Sequence, residues 1–254
     1  MRRGAALALA TVILTACGSG GLFRQYEYEE EIYLSLDGSA TVYVNSSIPA
    51  LNALRGASFD TSPNARLDLS QVSALYATPV THVSRVAQSR RSNRRFVHVR
   101  LDVADIRRLG EAAPFAWSTY RFNRDGNLYV YRQTIAAAAG KDVGDVGWTG
   151  QELVAFRLHL PSKVRYHNTA PDNPKRGNIV VWEQTLEERR HGKPLGLDER
   201  GLDVRMDPES ILYWTLQLFG ATFAAVAVTF GVVIWWILRR GRIAEAQKGL
   251  EAGG

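Results

Sequence analysis

The chain has 254 residues, of which 46% are apolar, 22% charged and 10% aromatic, with a single cysteine. That length supports one or two cored domains. The composition excludes a disordered tail protein, a collagen-like repeat and a disulfide-stapled miniprotein, and one cysteine excludes an internal disulfide or a cysteine-built metal site. The net charge of +6 points to nucleic acid only until it is located. Arg2 and Arg3 lie in the leader, and Arg239, Arg240, Arg242 and Lys248 face only Glu245 and Glu251 in the tail, which leaves +2 for residues 18–209. The excess marks membrane topology. Nucleic acid is not an expected partner.

The N-terminus reads Met1-Arg2-Arg3-Gly4, an apolar run from Ala5 to Leu14, and then Leu14-Thr15-Ala16-Cys17. A basic start, ten apolar residues and a small-residue end make a secretory signal, too short for the roughly 20 residues that a spanning helix needs. Leu-Thr-Ala-Cys matches a bacterial lipobox. Residues 1–16 are therefore expected to be a lipoprotein signal peptide and Cys17 the lipidated mature N-terminus, with residues 17–21 as a flexible tether.

At the other end, Ile211–Leu238 holds no charged residue, and Tyr213-Trp214 and Trp235-Trp236 bracket twenty residues, about 30 Å of helix. Aromatic pairs at both edges and arginines just beyond the second predict a spanning helix with a cytoplasmic basic tail, residues 239–254. Asp207-Pro208-Glu209-Ser210 faintly resembles a sorting motif, but the chain continues well past the arginines. The expected location is the bacterial inner membrane, with residues 22–208 outside the cytoplasm. The lipid bilayer is itself the first partner.

Residues 22–208 read as one α+β domain, largely antiparallel sheet with a few short helices. Strands Gln25–Leu36 and Ser39–Asn45 flank Asp37-Gly38. A three-residue loop there pairs Leu34 with Ala40 and Ile32 with Val42, and gives Gly38 the left-handed position. The same device at Arg124-Asp125-Gly126 would pair Phe122 with Leu128 and Tyr120 with Val130. Ile48–Gly56 and Leu67–Ala77 have helical spacing, Val80–Val86 and Phe96–Val103 alternate as strands, and Asp105–Glu111 forms a short helix. Ala136–Gly147 reads as a loop, Leu153–Leu160 as a strand closed by Pro161, and residues 168–178 as a polar loop. Ile179–Leu186 and Leu202–Met206 supply the last strands.

This layout of lipobox, exported α+β domain and single C-terminal helix with basic residues resembles the LppM-type bacterial lipoproteins. The local likeness lies in Leu36-Asp37-Gly38-Ser39-Ala40-Thr41-Val42, Phe156 to Pro161, and Gly177-Asn178-Ile179-Val180-Val181-Trp182. The resemblance implies an envelope-surface role, with lipid or glycolipid binding suggested. It carries over no catalytic residue.

The residues themselves show no familiar chemistry. The histidines His82, His98, His159, His167 and His191 have no ligand spacing, although His82 and His98 are expected to face each other across a strand pair. There is no G-x-S-x-G elbow, S-x-x-K or Walker loop. Glu27, Glu29 and Glu31 fall on one strand face and are expected to be solvated or to protect an edge. No cofactor or metal is expected, and an enzyme is not the expected class.

The informative feature is basic. Residues 69–101 contain no Asp or Glu but hold Arg85, Arg90, Arg91, Arg94, Arg95 and Arg100. Gln88–Arg95 is expected to be a loop crowding four of them together, open to phosphate or carboxylate ligands unless they pair with the glutamate face. Two readings follow. One is a tethered binding module for anionic lipid or glycolipid headgroups. The other is an interaction subunit docking an envelope protein, with Gly220, Ala221, Ala224 and Ala225 available for helix packing.

Overall fold

A computed structural model describes residues 26–251 except 137, 172–176 and 196–200, with side chains to 242. The expected leader, Cys17 and the tether lie outside the described residues. The strands are β1 Tyr26–Leu34, β2 Ala40–Ser47, β3 Thr81–Arg91, β4 Arg94–Val103 and β5 Ser118–Asp125. They continue as β6 Leu128–Ile135, β7 Leu153–His159, β8 Ser162–His167, β9 Ile179–Thr185 and β10 Leu202–Ser210. The helices are α1 Ile48–Arg55, α2 Leu69–Tyr76, α3 Leu186–Arg190 and α4 Ile211–Glu251. Ile106–Glu111, expected as a short helix, is 3-10, and Ala113–Phe115 adds another such turn.

The fold is α+β. One sheet runs β3-β4-β2-β1-β7-β9 and the other β5-β6-β10-β8. Pairing is antiparallel except between β1 and β7. Alternation along the strands turns Ile32, Leu34, Val42, Val44, Val99, Leu101 and Leu158 inward, where they meet Tyr120, Phe122, Tyr131 and Met206 of the smaller sheet in one continuous core. Helix α1 is buried along its whole length. Ser47 caps it by accepting from the Ala50 N–H at 3.1 Å, Pro49 occupies its first turn, and Gly56 ends it in the left-handed region.

The first hairpin has the expected register, Leu34 opposite Ala40 and Ile32 opposite Val42. The second does not. Asp125 pairs with Leu128 and Phe122 with Tyr131, so the loop is the two residues Gly126-Asn127. Gly126 has φ +57 while Asn127 is not left-handed, the II′ arrangement that matches strand twist without a third residue. Strand β3 also runs five residues past Val86, so Gln88–Arg95 is a hairpin end closed by Ser92-Asn93 and not a loop. Both turn residues have positive φ, 48° and 59°, as a two-residue I′ turn requires. Strand β8 and helix α3 have no counterpart in the sequence reading, and β10 extends to Ser210, a register shift past Met206 accommodating Pro208.

Helix α4 continues directly from β10. The Ile211 N–H donates to the Pro161 carbonyl at 2.9 Å, and Ser210 pairs with Ser162, which ties its root to the β7–β8 corner. Ile211–Arg242 is long and apolar enough to cross a membrane, and its most apolar stretch packs against nothing in the domain. Arg239 and Arg240 lie over the rings of Trp235 and Trp236 at 5.2 and 3.8 Å, an aromatic and cationic collar at its far end.

Candidate functional site: the arginine hairpin and its surroundings

Register divides the six arginines between two faces. The pairs are Arg85 with Arg100, Arg90 with Arg95 and Arg91 with Arg94. Alternation on β4 sets Arg94 and Arg100 on the outer face with His98, and Arg95 on the inner face with Val97 and Val99. Arg90 and Arg95 therefore share the helix-covered side, while Arg85, Arg91, Arg94 and Arg100 share the outside. Three like-charged pairs directly opposite one another are unfavourable in a sheet unless something neutralises them.

Partners are unequally distributed. Arg94 is held by the buried Glu27 carboxylate at 2.9 Å and donates to the Val146 and Gly147 carbonyls. Arg100 has Asp102 only at 3.9 Å. Arg91 donates to the Tyr26 carbonyl at 2.7 Å and lies 4.4 Å from the centre of the Phe96 ring. Arg90 donates to the Pro63 carbonyl at 2.6 Å, and Arg95 Nη2 to the Asp60 carbonyl. Among the described residues, Arg94 alone of the six has a close carboxylate.

The glutamates also depart from expectation. Strand β1 is central, so it has no free edge to protect. Glu27 is 1% exposed, and its carboxylate takes the indole N–H of Trp148 as well as Arg94. Glu29 pairs with Arg157 at 2.9 Å and Glu31 meets His159 Nε2 at 2.5 Å. This last bond, ahead of burial, governs the Glu31 carboxyl and holds it below its ordinary range.

His82 and His98 do not face each other. Asp102 stands opposite His82 and Ala87 opposite His98, because the strands pair from Thr81–Val103 inward. His98 instead joins a hydrogen-bonded line across the outer face. Ser89 Oγ lies 2.7 Å from His98 Nε2, and His98 Nδ1 lies 2.9 Å from Asn45 Oδ1. Asn45 in turn donates to Glu29 at 3.1 Å. Burial first, then Arg91, lowers the His98 pKa and favours neutral imidazole. The amide orientation makes Nδ1 the donor, so Nε2 accepts from Ser89, an assignment made from the network. The connectivity is that of a nucleophile, base and orienting amide. It sits on the outer face of the sheet, on the edge strand β3, with Ser89 and His98 both open to solvent in part.

A second constellation missed in the sequence is buried. Glu30 Oε2 accepts from Arg55 Nη2 and from Tyr28 OH, both at 3.1 Å, and its Oε1 from Gln133 at 2.8 Å and Tyr120 at 3.3 Å. Burial opposes charge on Arg55, but Tyr28 and Glu30 overcome it and raise the guanidinium pKa. Burial also raises the hydroxyls of Tyr28, Tyr120 and Tyr131, which stay neutral donors. The cluster joins β1, α1 and the smaller sheet and opens to no cavity among those described. Its signal was present: Glu30 keeps the alternation of Tyr28, Ile32 and Leu34.

Two grooves flank this frame. One, of about 1010 Å³, runs between the hairpin and residues 58–71, lined by Ser58, Asp60, Arg66, Gln71, Arg90 and Arg95 among others. The other, of about 1000 Å³, lies at the far end of the sheet beside Pro161, with Tyr33, His82, Asp102, His159 and Asn178 in its walls. From Asp102 to Arg94 is eight residues of strand, about 26 Å. The arginine hairpin thus stands far from the root of α4.

No family model matches this chain, and no curated protein matches it. Among solved structures, the NMR structure of the folded domain of Mycobacterium tuberculosis LppM is similar at 14% identity, covering 75% of this chain and 95% of that one, with a TM-score of 0.39. The similarity is distant. The functional reading therefore rests on this chain's own residues.

Proposed function

We propose that this chain is a membrane-tethered, non-enzymatic binding module of the bacterial envelope, whose arginine hairpin engages anionic lipid or glycolipid headgroups. The observation that supports it is the stack of three arginine pairs across β3 and β4, with one close carboxylate among six guanidiniums. A ribbon of one sign retains its potential, and each cation near an anionic surface contributes about 1 kcal/mol. Because about 26 Å of strand β4 separates the hairpin from the Asp102 end of the sheet, where Pro161 holds the root of α4, the headgroups it meets are not those packed around that helix.

The test uses full-length protein in phosphatidylcholine nanodiscs, mixed with vesicles of phosphatidylglycerol or phosphatidylcholine and separated by flotation. Binding to the anionic vesicles alone, weakened by salt and by Arg85→Gln with Arg91→Gln, is the expected result. Failure to bind phosphatidylglycerol at low salt overturns the reading and turns attention to a protein partner.

A further inference from the structure

We infer that the groove between the hairpin and residues 58–71 is a discrete oxyanion site, built for a phosphate group by Arg95, Arg90 and Arg66. The inference rests on the headgroup reading above and says which part of the hairpin recognises the ligand. Arg95 is its centre. It is 5% exposed, and Nη2 is engaged by the Asp60 carbonyl, yet among the described residues Nε and Nη1 have no hydrogen-bond partner. Arginine stays protonated in proteins, so this is a buried cation with one edge unsatisfied and no carboxylate bonded to it. A buried charge left this way is costly, and the cost is relieved by an anion presenting two oxygens to the Nε/Nη1 edge.

The surroundings supply the rest. Among the described residues Arg90, opposite Arg95, is bound to the Pro63 carbonyl and, at 3.3 Å, to Asn64 Oδ1, both neutral acceptors. Arg66 is exposed on the facing wall. Two carboxylates also line the groove, but each is committed to its own backbone turn. Asp60 accepts from the Ser62 N–H at 2.7 Å, and Asp68 caps α2 by accepting from Ser70 N–H and Oγ at 2.9 and 2.6 Å. These serine contacts first, and the charges of Arg95 at Asp60 and Arg66 at Asp68 last, hold both acids below their ordinary range, so they stay ionised with their hydrogen bonds spent on their loops. The hydroxyl of Ser58 and the amide of Gln71 add neutral donors along the rim. The four outer-face arginines do not line this groove; they add diffuse attraction to an anionic surface, which the fitted site does not depend on.

The phosphate can belong to a lipid headgroup or be free, and the experiment separates these sources. Full-length protein in phosphatidylcholine nanodiscs is titrated with inorganic phosphate by calorimetry, and separately with phosphatidic acid and phosphatidylglycerol vesicles. Saturable phosphate binding is expected, weakened about tenfold by Arg66→Gln or Arg90→Gln and unchanged by the outer-face Arg91→Gln. Both sensitive positions are exposed in part or whole, so the fold survives, and Arg95→Lys tests the centre. No saturable binding, or equal losses in all three glutamine variants, overturns the site. Phosphate binding without vesicle binding sustains the site and overturns the headgroup reading. Vesicle binding without a phosphate site does the reverse.

Discussion

Replacing Arg55 with methionine tests the buried cluster on which the two sheets meet. Arg55 Nη2 reaches Glu30 at 3.1 Å, Nε reaches Tyr28 OH at 2.9 Å, and the guanidinium lies 4.7 Å from the Tyr28 ring centre. Glu30 and Arg55 side chains are 0% and 3% exposed, so neither can exchange its partner for water. Removing one member of such a pair strands the other, at a cost of about 3–5 kcal/mol. For a domain of this size that is a fall in Tm of about 6–20 °C, at about 2–4 °C per kcal/mol. The deficit also depends on pH. In the variant a proton can neutralise the stranded carboxylate at low pH, so the folded state binds more protons than the unfolded one and stability falls as pH rises. The loss is therefore larger at pH 8 than at pH 5. Adding Glu30→Gln removes the charge while leaving an acceptor for Gln133 and Tyr120, and recovers most of it. The assay is thermal unfolding of the full-length protein in neutral detergent, followed by tryptophan fluorescence. A loss below about 1 kcal/mol, or one indifferent to pH, would refute the reasoning.

Three further outcomes are expected. Gly201→Ala drives a Cβ into the Gln133 carbonyl oxygen at φ +82, so it lowers stability by about 2 kcal/mol or more and frees the β6–β10 amides in hydrogen exchange; unchanged protection there counts against the close approach. The hydrogen bond from His159 lowers the Glu31 pKa from its ordinary 4.5, so its contribution is present above that value and is lost as pH falls through the lower, folded-state pKa. His159→Ala should flatten that acid limb, and an identical limb in urea titrations between about pH 3 and 5 would contradict the assignment. Finally, Ser89 should not be labelled by a fluorophosphonate probe despite its bond to His98, since it stands on an exposed edge strand with no enclosed site built around it among the described residues; stoichiometric labelling abolished by His98→Gln would establish an activated nucleophile.

Element type was legible wherever the local pattern was strong. The apolar stretch from Ile211 with aromatic and arginine flanks reads as a spanning helix because helix length and bilayer thickness are fixed quantities. Asp37-Gly38 gave the register of β1 on β2, since each side chain's face follows from its position in the pleat. Gly126 misled because an aspartate-glycine pair fits both a two- and a three-residue loop, and the choice depends on which register the surrounding sheet can pack. The arginines were visible as a charge imbalance, but their division into an inner pair and an outer four was not. That division follows from β3 running on to Arg91 and from the packing of residues 58–71 against one side of the hairpin.

By itself, the sequence determined local and one-dimensional properties: the apolar run long enough to span, the alternating strands, and the unopposed arginines. The tertiary structure alone decided which charges meet. Glu27 and Arg94 are 67 residues apart, and Glu30 and Gln133 are 103 apart, and no periodicity reports such a separation. Strand order brings them within hydrogen-bonding distance. It also sets the arginine hairpin at the opposite end of its sheet from the β7–β8 corner that holds the root of α4. Burial then removes water as an alternative partner, so the worth of each of those charges depends on a neighbour that only the fold supplies.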